Sequence, residues 1–171
     1  MPKLFRLDAS IRADGPVTRN LADTFHSGAA IFTEVTRREV GIAPGTFMMR
    51  NGSGLNDANR FSASQLTRLL QRMWARFPSA PEYLSSMPIG GKDGTLKFRF
   101  EGTEAVLKLR AKTGTLEGVS ALSGFVQSVG GERFVFSIIV NDFAGRASTV
   151  VQHIDALGAA VAAVGSSQGP S

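Results

Sequence analysis

Between residues 107 and 140 the apolar positions first alternate and then close up into longer runs. Leu107, Leu109 and Ala111 interleave with Lys108, Arg110 and Lys112, which predicts a strand with one buried face and a basic face turned away from the core. Past Gly114 the chain turns into Val119 to Val129, crosses Gly130-Gly131 and returns through Arg133 to Val140, rich in Phe, Val and Ile. Together these segments predict a three-stranded antiparallel meander.

Helical spacing dominates on either side. Ser62 to Gln65 has the pattern of a capping box, and Leu66, Leu69, Leu70, Met73, Trp74 and Phe77 follow at three- and four-residue steps as a core-facing stripe. Pro78 and Pro81 are expected to end that helix, and Lys92-Asp93-Gly94-Thr95 has the chemistry of a turn. A second helix is expected from Arg146 to Val164, with Val150, Ile154, Leu157, Val161 and Val164 near one face. Residues 165–171 are expected to form a mobile tail. Near the start, Lys3 to Asp8 alternates like a short strand, and Thr18 is placed to cap a helix to about Phe32. Glu34 to Val40 then reads as a second strand, completing a βαβ pattern that closes at Gly41 and Pro44.

The candidate chemistry lies on the first strand of the meander. Lys112-Thr113-Gly114-Thr115 brings an ammonium and two hydroxyls into a turn, and Lys-Thr-Gly on a strand is one of three elements of the serine β-lactamases and penicillin-binding proteins, beside Ser-x-x-Lys and Ser-x-Asn. Around it stand Asn51-Gly52-Ser53-Gly54-Leu55 with Asn59, the stretch from Ser85 through Met87-Pro88-Ile89-Gly90-Gly91 to Leu96, and Arg110 to Gly124. From about Phe47 to about Ala163 this order resembles the C-terminal part of the D-alanyl-D-alanine carboxypeptidase/endopeptidase family of low-molecular-mass penicillin-binding proteins. The resemblance implies that Lys112 shapes the electrostatics of the site, that Thr113 and Thr115 lie near the terminal carboxylate of a D-alanyl substrate, and that Gly114 permits close backbone approach. The Thr115 N–H would form an oxyanion hole with the N–H of the nucleophilic serine. That serine, activated by a lysine, would form an acyl-enzyme resolved by water.

The nucleophile is missing from these residues. The positions three before Lys92, Lys97, Lys108 and Lys112 hold Ile89, Gly94, Ala105 and Leu109, and Lys3 has no such position. The residues two before Asn20, Asn51, Asn56, Asn59 and Asn141 are Thr18, Met49, Gly54, Asp57 and Ile139. Neither Ser-x-x-Lys nor Ser-x-Asn occurs, so no catalytic residue is assigned and the chain alone is expected to be inactive. Ser53 lacks the Gly-x-Ser-x-Gly setting of a nucleophile elbow.

The opening, Pro2 to Phe25, is similar to the start of the flavodoxin-like FMN-dependent NADH:quinone oxidoreductase and azoreductase family. The resemblance implies that Ser10, Arg12 and Thr18 hold a flavin phosphate, through donors and a helix N-terminus that favour an anion. A plain loop and helix cap without ligand is the preferred reading, because the later strands that complete such a pocket are absent and Pro16 and Val17 replace polar residues. No bound cofactor is therefore expected.

Composition narrows the classes further. The 171 residues suit one ordinary domain; 43% are hydrophobic and 19% charged, as in a globular chain, and no run is long and apolar enough to span a bilayer. The net charge of +5 is spread over arginines in many segments, with one Trp and one Tyr for stacking, which argues against nucleic acid. There are no cysteines, and His26 and His153 stand on separate segments without carboxylates at ligand spacing, so no metal site is expected. The first residues lack an apolar stretch and a small-residue cleavage site, so no export signal is expected and the compartment stays open.

The expected fold is α+β: a partial penicillin-binding-protein-like antiparallel sheet with flanking helices over 46–164, preceded by a short flavodoxin-like βαβ segment over 1–45. The expected ligands are peptidoglycan D-alanyl-D-alanine peptides or β-lactams at Lys112, Thr113, Gly114 and Thr115. An FMN oxidoreductase fragment and a non-catalytic ligand-binding module are the alternatives. The strand from Arg133 to Val140 is expected to leave an edge open to self-association, unless Leu4 to Leu7 covers it.

Overall fold

The computed structural model describes residues 28–50, 54, 58–76 and 79–165. The expected strand at Lys3 to Asp8, the start of the first helix, Ser10, Arg12, Thr18, His26, Ser53, Phe77, Pro78 and the last six residues lie outside them. The chain divides into two compact units, residues 1–61 and 62–171.

In the first unit, α1 (28–35) runs straight into a wider π-helical turn at Thr36–Val40, which Gly41 ends in the left-handed region at φ 70°. The strand expected at Glu34 to Val40 is therefore helical. Its Val and Thr residues suggested extended backbone, but Glu34 and Arg37 are at helical spacing, and the Arg37 Nε donates to Glu34 Oε2 at 2.9 Å. That pair holds the Glu34 carboxyl below its usual range and raises Arg37. Further on, Met48 and Arg60 form an antiparallel bridge and the Arg50 N–H donates to Asn59 Oδ1 at 2.8 Å. The Phe47 and Phe61 rings stack at 5.2 Å, and Phe32 meets Phe61 edge-on at 6.0 Å.

The second unit begins with α2 (Ala63–Ala75). Its expected capping box is formed: the Gln65 N–H donates to Ser62 Oγ at 3.2 Å and the Ser62 N–H to Gln65 Oε1 at 2.9 Å. Leu70 is buried, whereas Trp74 is 41% exposed and is only partly a core residue. Pro81 does not end a helix. It sits in the first turn of α3 (Ala80–Ser85), where its missing N–H has no intrahelical partner to lose.

Three strands follow, β1 (Leu109–Leu116), β2 (Val119–Gln127) and β3 (Arg133–Asn141), in the order β1-β2-β3 and antiparallel throughout. The expected meander is present. Leu109 and Ala111 are fully buried as the alternation predicts, but Leu107 precedes the strand, at φ 63° and 63% exposed. Register places Ala111 opposite Gly124, and Gly124 opposite Phe136. One sheet face therefore carries Leu109, Ala111, Leu122, Val126 and Phe136. It packs on α4 (Ala147–Ala162) through Ile154 and Ala162, with Leu96 and Phe100 closing the core. Each fully buried leucine or isoleucine there contributes roughly 2–3 kcal/mol.

Of the stripe expected on α4, Ile154 is buried and Val150 and Val161 pack against the same core, whereas Leu157 and Val164 are exposed; Gly158 and Ala162 complete the inward face. Small residues matter here: a Cβ on Gly158 would come within 3.1 Å of the Phe100 ring. The opposite sheet face carries Phe125 and Val135 and packs on Leu70, Met87, Tyr83 and Leu84. The unit is thus a helix–sheet–helix sandwich, α+β as expected. At the β2–β3 turn, the N–H groups of Val129 and Gly130 donate to the Ala162 and Val164 carbonyls at 2.8 and 3.1 Å, satisfying acceptors that the end of α4 leaves free.

Candidate active site

The antiparallel ladder decides which way each group of β1 points. The Gln127 N–H donates to the Lys108 carbonyl, so the even-numbered positions of this stretch are the ones bonded to β2. The odd-numbered positions then present N–H and C=O to the outer edge. At Leu109 and Ala111 that edge is occupied: the Gly90 N–H donates to the Leu109 carbonyl at 2.9 Å and the Ala111 N–H to the Pro88 carbonyl at 3.1 Å. Beyond Ala111 the cover stops. Among the described residues, no backbone partner reaches the outward groups of Thr113 and Thr115.

Lys112, Thr113, Gly114 and Thr115 are therefore brought together at an open stretch of sheet edge. Lys112 is exposed, on the α2 side of the sheet and opposite Ser123, whose hydroxyl lies 2.8 Å from that of Ser137 in the next strand. Its Nζ curls over the edge and donates to the Thr113 carbonyl at 2.6 Å. The Thr113 hydroxyl donates to Thr95 Oγ1 at 3.1 Å, on the 3-10 turn at Gly94–Leu96. Thr115 is exposed. One cation, three hydroxyls and two outward N–H groups thus line an edge that can receive a carboxylate or an extended peptide.

The supports are local and steric. Gly94, at φ 52°, starts the 3-10 turn where a Cβ would meet Pro88 at 2.9 Å. Gly124 is needed more acutely, since a Cβ there would lie 2.6 Å from the Ala111 Cα and 2.7 Å from its Cβ. Gly114 is less constrained, with a Cβ meeting only Ala121 Cβ at 3.4 Å. Thr95 was legible only as a turn residue and Gly124 only as part of a strand. Their roles depend on pairings across 18 and 13 positions that no local spacing encodes.

Ser10, Arg12 and Thr18 cannot be placed against this edge, because they lie outside the described residues. Among the described residues, no three His, Asp or Glu side chains converge to hold a metal ion, and no helix is long and apolar enough to cross a membrane.

Known proteins are similar to this chain in sequence and fold. The chain is 36% identical over 136 residues to a D-alanyl-D-alanine carboxypeptidase of Actinomadura sp., covering 77% of this chain and 24% of that protein. It is 33% identical over 141 residues to carboxypeptidase DacB of Mycolicibacterium smegmatis, covering 80% and 30%. The structure of penicillin binding protein 4 from Haemophilus influenzae, complexed with a β-lactam, superposes with a TM-score of 0.72 at 25% identity, covering 81% of this chain and 33% of that one. The chain thus spans about a quarter to a third of the length of these proteins. The flavodoxin-like resemblance of the opening gains no support from these matches. A model of the D-Ala-D-Ala carboxypeptidase 3 (S13) family matches residues 11–161, which include every element from α1 to β3 and nearly all of α4, and the chain belongs to that family.

Proposed function

We propose that this chain forms the substrate-side wall of a serine-type D-alanyl-D-alanine carboxypeptidase site, with peptidoglycan stem peptides and β-lactams as its ligands. The observation that carries this reading is the open edge at Thr113 and Thr115, with the Lys112 ammonium folded over it. In this role Lys112 and the Thr113 and Thr115 hydroxyls receive the terminal carboxylate of a D-alanyl peptide. The outward N–H of Thr115 is a donor for the oxygen that gains charge as the peptide carbonyl becomes tetrahedral. Backbone groups of β1 align the substrate as an added strand.

The attacking serine and its lysine base would come from polypeptide outside these residues, since neither Ser-x-x-Lys nor Ser-x-Asn occurs among the 171. Related proteins support the ligand class: the Haemophilus influenzae structure holds a β-lactam. Residues 46–164 are kept as the carboxypeptidase-like part in this reading. A non-catalytic module that binds D-alanyl carboxylates reversibly would use the same four residues.

Two measurements on the purified, folded chain test the reading. Intact-mass spectrometry after incubation with benzylpenicillin is expected to show no covalent adduct. Ligand-observed NMR is expected to show reversible binding of N-acetyl-D-alanyl-D-alanine, weakened about tenfold by Lys112→Ala, as loss of one charge-assisted contact implies. A penicilloyl adduct would overturn the division of roles by revealing a nucleophile within the chain. Peptide binding indifferent to Lys112→Ala would overturn the site.

A further inference from the structure

A concavity of about 550 Å³ opens between the last turns of α2, the beginnings of β1 and β3 and the end of β2. Arg110 borders it, two residues and so about 7 Å along the same face of the strand from Lys112, which does not itself line the cleft. Its floor is apolar and aromatic: Trp74 and Phe125 lie 5.4 Å apart between ring centroids, with Leu84 beside them. Its rim is cationic, with Lys108, Arg110 and Arg133, and no carboxylate side chain lines it.

The three cations are not equally engaged. Lys108 is paired with Glu104 at 3.0 Å, and the Arg110 guanidinium donates to the Leu84 carbonyl at 3.3 Å. Arg133 lies over the Trp74 ring at 5.6 Å. Among the described residues neither arginine has a carboxylate at ion-pair distance. Trp74 remains 41% exposed, a large apolar face left to water next to uncompensated positive charge.

We propose that this cleft binds an amphipathic anion, a planar apolar body bearing a carboxylate or sulfonate, at a site separate from Lys112. The body would lie against the exposed Trp74 ring, over the floor that Phe125 and Leu84 close beneath it, while the anion meets Arg133 and Arg110. A neutral ligand of the same shape would gain only the stacking, so preference for charge is the signature of the site.

Trp74 is the single tryptophan of the chain, so its emission reports directly on occupancy. The experiment titrates the full chain with anilinonaphthalene sulfonate, and in parallel with N-phenylnaphthylamine, which has the same rings and no charge. One anion per chain is expected, with quenching of Trp74. Arg133→Gln is expected to weaken the anion about tenfold and leave the uncharged dye unaffected. Lys108→Gln, at a second exposed position, should act in the same direction but less, because Glu104 already offsets that charge. Lys112→Ala should change neither dye. Equal affinity for the two dyes, or an anion affinity unmoved by Arg133→Gln, would overturn the proposal. Loss of binding in Lys112→Ala would merge this cleft with the strand edge and overturn its separateness.

Discussion

Gly124 faces Ala111 across the β1–β2 ladder so closely that a methyl group on Gly124 would lie 2.6 Å from the Ala111 Cα. The nearest obstacles are backbone and Cβ atoms of β1, which cannot rotate away as the end of a long side chain could. Gly124→Ala is therefore expected to lower stability by about 3 kcal/mol, read as a reduced urea midpoint with unchanged slope. Because β1 is the strand that must yield, the backbone resonances of Lys112 to Thr115 should shift as well. A variant within about 0.5 kcal/mol of the parent would show that the strands separate at little cost.

The edge geometry predicts an alternation in amide exchange. The N–H groups of Lys112 and Gly114 point into the ladder with β2, while those of Thr113 and Thr115 point outward. Hydrogen exchange followed by NMR should find the first two protected and the last two fast, with Ala111, bonded to Pro88, protected again. Equal protection at Thr115 and Gly114 would show that something covers the edge.

Arg99 and Asp155 tie the turn region before β1 to α4. The Arg99 Nε lies 3.0 and 3.1 Å from the two carboxylate oxygens, and the side chains are only 16% and 21% exposed. Asp155→Ala should cost about 2 kcal/mol, since it strands a largely buried guanidinium. Arg99→Ala should then cost less in that background than in the parent protein, a coupling readable from a double-mutant cycle by chemical denaturation. Strict additivity would mean that the two charges act independently.

Tyr83 packs against the cluster of Leu70, Met87 and Phe125, and burial raises its phenol above the ordinary tyrosine range. The folded protein then holds the proton more tightly than the unfolded chain. Stability from this group is complete below about pH 10 and falls as pH rises through the folded value. Tyr83→Phe should flatten the decline of stability in that alkaline window, measured by urea titration at a series of pH values. An unchanged slope would assign the alkaline sensitivity to other groups.

Much of the second unit was legible because its signals are local. Alternation at Leu109 and Ala111 against Lys112 marked β1, the apolar runs marked β2 and β3, and Ser62 with Gln65 marked the start of α2. What stayed hidden depends on context. At Glu34 to Val40 the β-branched residues outvoted the Glu34–Arg37 spacing, although the preceding helix carries that segment onward. Pro81 reads as a terminator until Ala80 opens a new helix around it. On α4, Leu157 reads as core by its apolarity, but the closest approach to the sheet needs a small residue, and Gly158 takes that place. The four residues of the candidate site were found through their motif. Thr95, which the fold brings to Thr113, carried no signal of its own.

The cover that Pro88 to Gly90 lays along β1 also acts as a ruler. It occupies the edge as far as Ala111, and the turn at Glu117-Gly118 closes the other end. Among the described residues, the backbone groups left open to an extended chain laid against this strand are thus those of Thr113 and Thr115, a single two-residue repeat. In the proposed role the edge would grip the last few bonds of a peptide and could not zip along a longer one, so reach would be limited by the geometry of the wall before any side chain is consulted.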